Sequence, residues 1–370
     1  MTAGFDAATL ANRATSALRA YDPGHDLPTL RARFGDVLSE LGSNENPLGP
    51  SKLAMRAATR VLDDIFRYPD PLGASLKHRI GDELGVPVSG ITLGNGSHEL
   101  LMLLAQCFAD AEHPVVHSQY SFAVFPIAAA AAGARGIVVP ALPVDHPEAP
   151  YGHDLDAMAK AVTPDTRLVY LANPNNPTGT WFTDAALERF LAQVPSSTLV
   201  VVDEAYNEYV DAPGLSTALH LLGRYPNLIV TRTFSKAYAL AGLRVGYMLS
   251  HPSVAAVCER LRESFNVNGV ALAAAEAALG DHEHRARVRD TNRRDREWLA
   301  GELTARGMRV FPSQTNFLLV DVGRDAAELE SHLFGTGVIV RPMVGYRLLT
   351  TVRISIGSRS ELQRLLENLP

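Results

Sequence analysis

Thr231-Arg232-Thr233-Phe234-Ser235-Lys236-Ala237-Tyr238, followed by Leu243-Arg244-Val245-Gly246-Tyr247, is the stretch on which the reading of the chain turns. Residues 227–232 (NLIVTR) are rich in β-branched and apolar types and predict a short buried strand. The chain then leaves the sheet at Thr233 and turns through Ser235 and Lys236 into the small-residue run 237–242. Two hydroxyls, an ammonium and, further on, a guanidinium gather at the carboxyl end of a strand, where open α/β sheets bind ligands. Hydroxyls and an arginine fork suit a phosphate, and a lysine there can act as a nucleophile towards carbonyl carbon. Read alone, the same residues also describe a surface turn with a solvated lysine.

Outward from this stretch the chain alternates between strand and helix signals. Strands are predicted at 91–93, 115–118, 136–140, 167–172 and 198–202, with helices at 99–108, from the turn after 122 through 132, and at 154–162. The strand 198–202 delivers Asp203. A carboxylate buried there costs several kcal/mol in desolvation unless a charged group pairs with it, although it can also cap the residues that follow. Gly94-Asn95-Gly96-Ser97, with Ser97 as the predicted cap of the next helix, is either an ordinary turn or an anion-binding helix start. Asn173-Pro174-Asn175-Asn176-Pro177-Thr178-Gly179 is a tight loop in which either X–Pro bond can be cis. Beyond Met248 the alternation weakens. Helices are expected at 253–266, 271–279 and 281–306, and strands at 317–322, 337–341 and 352–357. Nearer the start, 7–20 reads as a short amphipathic helix ended by the turn Tyr21-Asp22-Pro23-Gly24, and 41–50 as an irregular loop. Helices at 51–64 and 74–84 flank Arg67-Tyr68-Pro69.

The composition narrows the functional classes. A chain of 370 residues with 46% hydrophobic and 20% charged residues describes a globular enzyme of one large and one smaller domain. A net charge of −6 without a long basic run makes nucleic-acid binding a poor reading. Any anionic substrate must therefore be met by local arginines. Cys107 and Cys258 are too few for a disulfide framework and fit a reducing compartment. No signal peptide is read, and the most apolar window, 123–134, contains Pro126 and is too short to span a bilayer. A cytoplasmic location is expected, with no metal site and no membrane partner.

The run 233–247 (TFSKAYALAGLRVGY) resembles the cofactor-lysine segment of aminotransferases that use pyridoxal phosphate, and especially the histidinol-phosphate aminotransferase family. Further similar segments extend from Tyr21 to Gly357. The resemblance implies a fold-type-I α/β enzyme, with a large, mostly parallel domain over 45–255 and a smaller α+β domain built from 1–44 and 256–370. It implies pyridoxal 5'-phosphate on Lys236, which also moves the substrate's α-proton. Asp203 would face the ring nitrogen, Asn176 and Tyr206 the phenolic oxygen, and Tyr120 would stack on the ring. Gly96, Ser97, Thr233, Ser235 and Arg244 would hold the phosphate. His98 would stand beside them where the family usually has an acid. Tyr68 would reach the partner subunit's phosphate, giving a homodimer with shared active sites. Tyr21, Asn44 and Asn46 would line the substrate site, Arg353 would clamp an α-carboxylate, and Arg341 would meet the distal group. The segment Gly345-Tyr346-Arg347 departs from the family's Gly-Tyr-Gly near the substrate's far end.

The activity implied is amino transfer from L-histidinol phosphate to 2-oxoglutarate. Related families sharing these motifs act on phenylalanine, tyrosine or prephenate, or decarboxylate threonine phosphate. A non-catalytic ligand-sensing module is the reading from a different class. The short N-terminal segment is expected to leave no room for the DNA-binding domain such a module needs.

Overall fold

The computed structural model describes residues 6–16, 18, 24 and 26–370. Tyr21 lies outside the described residues. Among the described residues, thirteen strands are distributed over three sheets. In chain order they are β1 (Ser39–Glu40), β2 (Ile91–Gly94), β3 (Val115–Ser118), β4 (Gly136–Val139), β5 (Leu168–Ala172), β6 (Leu199–Asp203) and β7 (Leu228–Thr233). There follow β8 (Gly246–Leu249), β9 (Arg309–Val310), β10 (Phe317–Asp321), β11 (Val338–Ile339), β12 (Arg341–Pro342) and β13 (Thr351–Ser355).

The larger sheet has the order β2-β8-β7-β6-β5-β3-β4, and only β8 runs against its neighbours. Its central strands are continuous apolar runs because both faces are covered by helices. Leu168, Tyr170, Val201 and Ile229 share one core with the helices Ser97–Phe108 and Val124–Ala131. Val169, Leu171, Val200, Val202 and Val230 share the opposite core with Ala74–Leu84, Asp184–Gln193 and Gly269–Leu279. Parallel register sets Ala172 beside Asp203, and Asp203 beside Thr231. Antiparallel β8 then begins at Gly246, beside both Thr233 and Gly94. The carboxyl ends of β5, β6 and β7 and the start of β8 therefore meet at one edge.

The smaller sheet, β12-β13-β10-β9, is antiparallel. Leu318, Val320, Val352 and Ile354 face a core shared with the helices His282–Ala305, Ala326–Gly335 and Arg359–Glu367. Period-two alternation sends Leu319 and Arg353 to the other face, towards the larger sheet.

Three sequence expectations are corrected. The single strand expected at 337–341 is two: β11 pairs in parallel with β1, while β12 joins β13 in a different sheet. Pro342 has no N–H to offer a ladder and occupies the edge strand of its sheet. The helix expected over 253–266 ends at Cys258. Beyond it, Arg262 bonds Glu259, the Pro71 carbonyl and Asn266, and Phe265 adopts φ +60°, so side-chain bonds rather than a helical ladder hold this segment. Ser97 is not the cap of its helix. Gly96 holds the N-cap position at φ 88°, and Ser97 is the first helical residue. Among the described residues no helix is long and apolar enough to cross a membrane, and no group of three or more His, Cys, Asp or Glu side chains could hold a metal ion.

Gly246 is required where these elements meet. A Cβ there would lie 2.6 Å from the Ser97 amide nitrogen and 2.8 Å from the Arg232 carbonyl oxygen, both backbone atoms that yield only if strands move. Gly246→Ala is expected to cost about 1–3 kcal/mol of stability. A lowered midpoint in a denaturant titration checks this, and an unchanged midpoint would show that the edge is looser than described.

Candidate active site

A cavity of about 330 Å³ opens where the carboxyl edge of the larger sheet faces β12 and β13. It is lined by Asn44, Ser97, His98, Asn176, Asp203, Tyr206, Thr233, Ser235, Lys236, Arg244, Arg341 and Arg353, all of which the sequence had marked. Residues as far apart in the chain as Asn44 and Arg353 are brought together by strand register rather than by local sequence.

At one end the groups are all donors or cations. Ser97 and His98 open the helix Ser97–Phe108, Thr233 ends β7 and Ser235 follows it. Arg244 donates from Nη1 to Ser235 Oγ (3.3 Å) and to the Ala241 carbonyl (2.9 Å). A Cβ on Gly96 would fall 2.7 Å from Arg244 Nη2, so only glycine lets the guanidinium close on the helix start. Burial, with Arg244 nearby, pushes the His98 pKa down and favours its neutral form. Donors converging on open space with no carboxylate among them are suited to a phosphate.

In the middle stand Asp203 and Lys236. Asp203 is buried and accepts a 2.8 Å bond from Thr231 Oγ1. Burial pushes its pKa up to about 7, with Thr231 and Lys236 opposing and Glu204 reinforcing the rise. A cationic partner such as a protonated ring nitrogen would relieve that cost. Lys236 Nζ donates to the carbonyls of Ser43 and Asn44, each at 3.3 Å. Burial pulls its pKa down to about 8, helped by the positive charges of Arg353 and Arg244. Tyr206 Oη accepts from Asn44 Nδ2 at 3.0 Å. Asn176 accepts through Oδ1 from Arg353 Nη1 at 2.8 Å, which leaves its amide NH₂ as the end able to donate to a ligand.

At the far end, Arg341 and Arg353 are direct cross-strand partners on β12 and β13, and both line the cavity. Arg353 Nη2 also donates to the Gly42 carbonyl at 2.7 Å. Like charges directly opposite on neighbouring strands disfavour the fold. A bound anion would offset that cost.

Other expected residues stand elsewhere. Tyr120 stands edge-on to Tyr151, centroids 5.0 Å apart, in a cluster that includes the cavity residues Met343 and Tyr346. Phe122, two residues on, lines the cavity. Asn46 braces the lysine's neighbour, donating to the Ala237 carbonyl at 2.9 Å. Tyr68 is 83% exposed and stacks on Phe265. Arg347 is exposed and does not line the cavity, whereas Tyr346 does, with its hydroxyl donating to the Ser121 carbonyl. Arg347 has φ +61°, the left-handed conformation that a glycine adopts without strain, so its departure from Gly-Tyr-Gly falls on the backbone and not on the ligand. Sequence reasoning missed Ser355, which accepts from the Asn44 amide at 2.8 Å, and Thr231, whose place beside Asp203 depends on register alone.

The matched family model is Aminotransferase class I and II, over residues 37–369. The chain is 47% identical over 361 residues to a histidinol-phosphate aminotransferase of Nitrosococcus oceani, covering 97% of this chain and 96% of that one. It is 46% identical over 367 residues to one of Pseudomonas aeruginosa, covering 98% of each. The crystal structure of the Sinorhizobium meliloti histidinol-phosphate aminotransferase in complex with pyridoxal 5'-phosphate superposes with a TM-score of 0.87 at 30% identity, covering 100% of this chain and 98% of that one. A fold of this type with a lysine, an aspartate and a donor cup at one sheet edge defines a class I and II aminotransferase. Within that class, the chain belongs to the histidinol-phosphate aminotransferase family. The donor cup, the buried Asp203 and the carbonyl-bound Lys236 fit the phosphate, ring nitrogen and aldehyde of pyridoxal phosphate.

The depressed Lys236 pKa has a kinetic consequence. Only the neutral amine attacks carbonyl carbon, so covalent capture of the cofactor by the apoprotein should accelerate as pH rises and level off above about 8. Borohydride trapping across a pH series measures this. Acceleration that continues without a plateau to the range of an ordinary lysine would contradict the assigned environment.

Proposed function

We propose that the protein transfers the amino group of L-histidinol phosphate to 2-oxoglutarate, yielding imidazole acetol phosphate and L-glutamate. The observation that carries this reading is the direct opposition of Arg341 and Arg353 in the cavity that holds Lys236. Histidinol phosphate carries a phosphate ester where an amino acid carries its carboxylate, and 2-oxoglutarate has two carboxylates. Two facing guanidinium forks suit each of these anions in turn. Phenylalanine offers a singly charged carboxylate where histidinol phosphate offers a phosphate ester of about −1.5 to −2 charge, so it makes less use of the two forks.

The cofactor, when bound, supplies the electron sink that makes the donor's α-hydrogen acidic. The chain's own residues supply the rest. Ser97, Thr233, Ser235 and Arg244 hold the phosphate. Asp203 stays ionised against the ring nitrogen, and Asn176 and Tyr206 donate to the phenolic oxygen. Lys236 would hold the cofactor and, when free, would move the donor's α-proton as base and then acid. The carbonyls of Ser43 and Asn44 hold its Nζ. Arg341 and Arg353 orient the donor and then the acceptor. The division into units of 45–255 and of 1–44 with 256–370 is proposed with one adjustment. The helix Gly269–Leu279 goes with the former, because Ala271, Ala274, Ala275 and Ala278 share its core.

A homodimer is part of this reading. Leu62, Ile65, Phe66, Tyr68 and Leu72 are each more than half exposed in one short segment, an apolar surface that suits a second copy. Tyr68 on that surface would reach the partner's phosphate cup. Tyr68→Phe is expected to weaken cofactor retention while leaving the subunits associated, as dialysis and sedimentation would measure. A monomer retaining full activity would remove the shared-site argument.

A side-by-side donor assay tests the substrate. With 2-oxoglutarate as acceptor, kcat/KM for histidinol phosphate is expected to exceed that for phenylalanine by about a hundredfold, or roughly 2.7 kcal/mol of transition-state discrimination. Arg341→Met should lower the value for histidinol phosphate by about ten- to a hundredfold and change that for phenylalanine far less. Near-equal values for the two donors in the unaltered enzyme would instead assign it to aromatic substrates.

A further inference from the structure

Directly behind Asp203 lies a buried ion pair with no part in the chemistry above. Successive strand residues point to opposite faces, so Glu204 and Arg232 stand on the reverse of the sheet from Asp203 and Thr231. Their side chains are 3% and 7% exposed. Arg232 donates to Glu204 Oε2 from Nε (3.0 Å) and Nη2 (2.8 Å). Glu204 also accepts from Thr217 Oγ1 and from the Ala218 amide. One carboxylate thus ties the end of β6, the end of β7 and the turn at 217–218 together.

For stability alone such a pair has no advantage, since well-packed apolar residues of similar volume serve as well or better. Its place is what distinguishes it. Two carboxylates on adjacent buried residues disfavour each other's ionisation. Arg232 balances the second one.

We propose that Glu204 and Arg232 form a positioning unit for Asp203, fixing the strand ends that carry it and setting the charge behind the carboxylate that faces the cofactor's ring nitrogen. This rests on the reading of Asp203 given above. Asp203 is faced by Lys236 from the cavity, by Thr231 alongside and by Glu204 behind. Arg232 is flanked by Glu208 and Tyr247, with Arg285 and Tyr238 beyond Glu208.

The sign follows from the charges. Asp203 must be ionised to pair with a protonated ring nitrogen, so its share of cofactor affinity is lost as pH falls below its pKa of about 7, a second component below that set by neutral Lys236 near 8. Glu204→Gln keeps the shape of the side chain and leaves Arg232 positive behind Asp203, which eases ionisation. Arg232→Met leaves the negative charge and opposes it.

The experiment is equilibrium binding of pyridoxal phosphate to the apoprotein, followed by absorbance from about pH 5 to 8. Glu204→Gln should move the acid limb of affinity down by about half a pH unit, and Arg232→Met should move it up by about as much. A merely structural role would weaken both variants without opposite displacements. An acid limb that stays in place or rises in Glu204→Gln overturns the proposal. Where a single variant fails to fold, the charge-free double Glu204→Gln, Arg232→Met keeps the test open. It should return the limb to within about 0.2 unit of the unaltered protein, and a limb left lower would overturn the proposal. Asp203→Asn separates the two readings. If it leaves the limb intact, the assignment of Asp203 fails and this inference with it. If it removes the component near pH 7 and leaves that of Lys236 near 8, while Glu204→Gln shifts nothing, only the inference about the pair fails.

Discussion

A carboxylate buried at the end of a β-strand is the constraint on which the site depends. Asp203 receives one hydroxyl bond from Thr231, and burial pushes its pKa to about neutrality. An ionised carboxylate in that position is tolerated only with a cation before it, and a protonated one contributes no charge to any ligand. The surrounding structure is arranged for the first case. The nearest amine, Lys236, is itself held by carbonyls and carries a depressed pKa, so it is a weak counter-ion and an available nucleophile. The space between them is where a cationic ring fits, with the donor cup of Ser97, Ser235 and Arg244 to one side.

The two sheets contribute opposite kinds of chemistry to the same cavity. Parallel strands end together, so the larger sheet delivers Asn176, Asp203 and Thr233 at one edge without any one of them needing a long loop. The antiparallel sheet delivers charge by cross-strand pairing, which sets Arg341 and Arg353 side by side. Neither arrangement is stable for its own sake. A buried carboxylate and two guanidinium groups on facing strand positions each carry a free-energy cost that a group of opposite charge offsets.

The sequence made legible the residues whose type and local setting agree. Lys236, Asp203, Asn176 and Arg244 each follow a strand signal or a turn dense in glycine or proline, and all four line the cavity. What remained illegible depends on register and on backbone angles. Periodicity does not say which ring of the turn 119–122 faces inward, and Phe122 does so while Tyr120 packs on Tyr151. The glycine turn 94–97 marks a helix start, but only the φ of 88° at Gly96 puts Ser97 inside the first turn. Glu204 and Arg232 are twenty-eight positions apart and read as ordinary charged residues until β6 and β7 are laid side by side.

One short segment couples the two halves of the chemistry. The Gly42 carbonyl takes Arg353, the Ser43 and Asn44 carbonyls take Lys236, Asn44 Nδ2 holds Tyr206, and Asn46 Nδ2 holds the Ala237 carbonyl. Asn44 is in turn fixed by Ser355 and Asn316, from the antiparallel side, and adopts φ +57°. An asparagine tolerates that angle better than most side chains do, which explains its use where both a left-handed backbone and an amide donor are needed. A shift of this segment would therefore displace Lys236, Tyr206 and Arg353 together. The two proposed roles, binding at the arginine and proton transfer at the lysine, are thus linked through successive carbonyls of one segment, Gly42 for the first and Ser43 and Asn44 for the second.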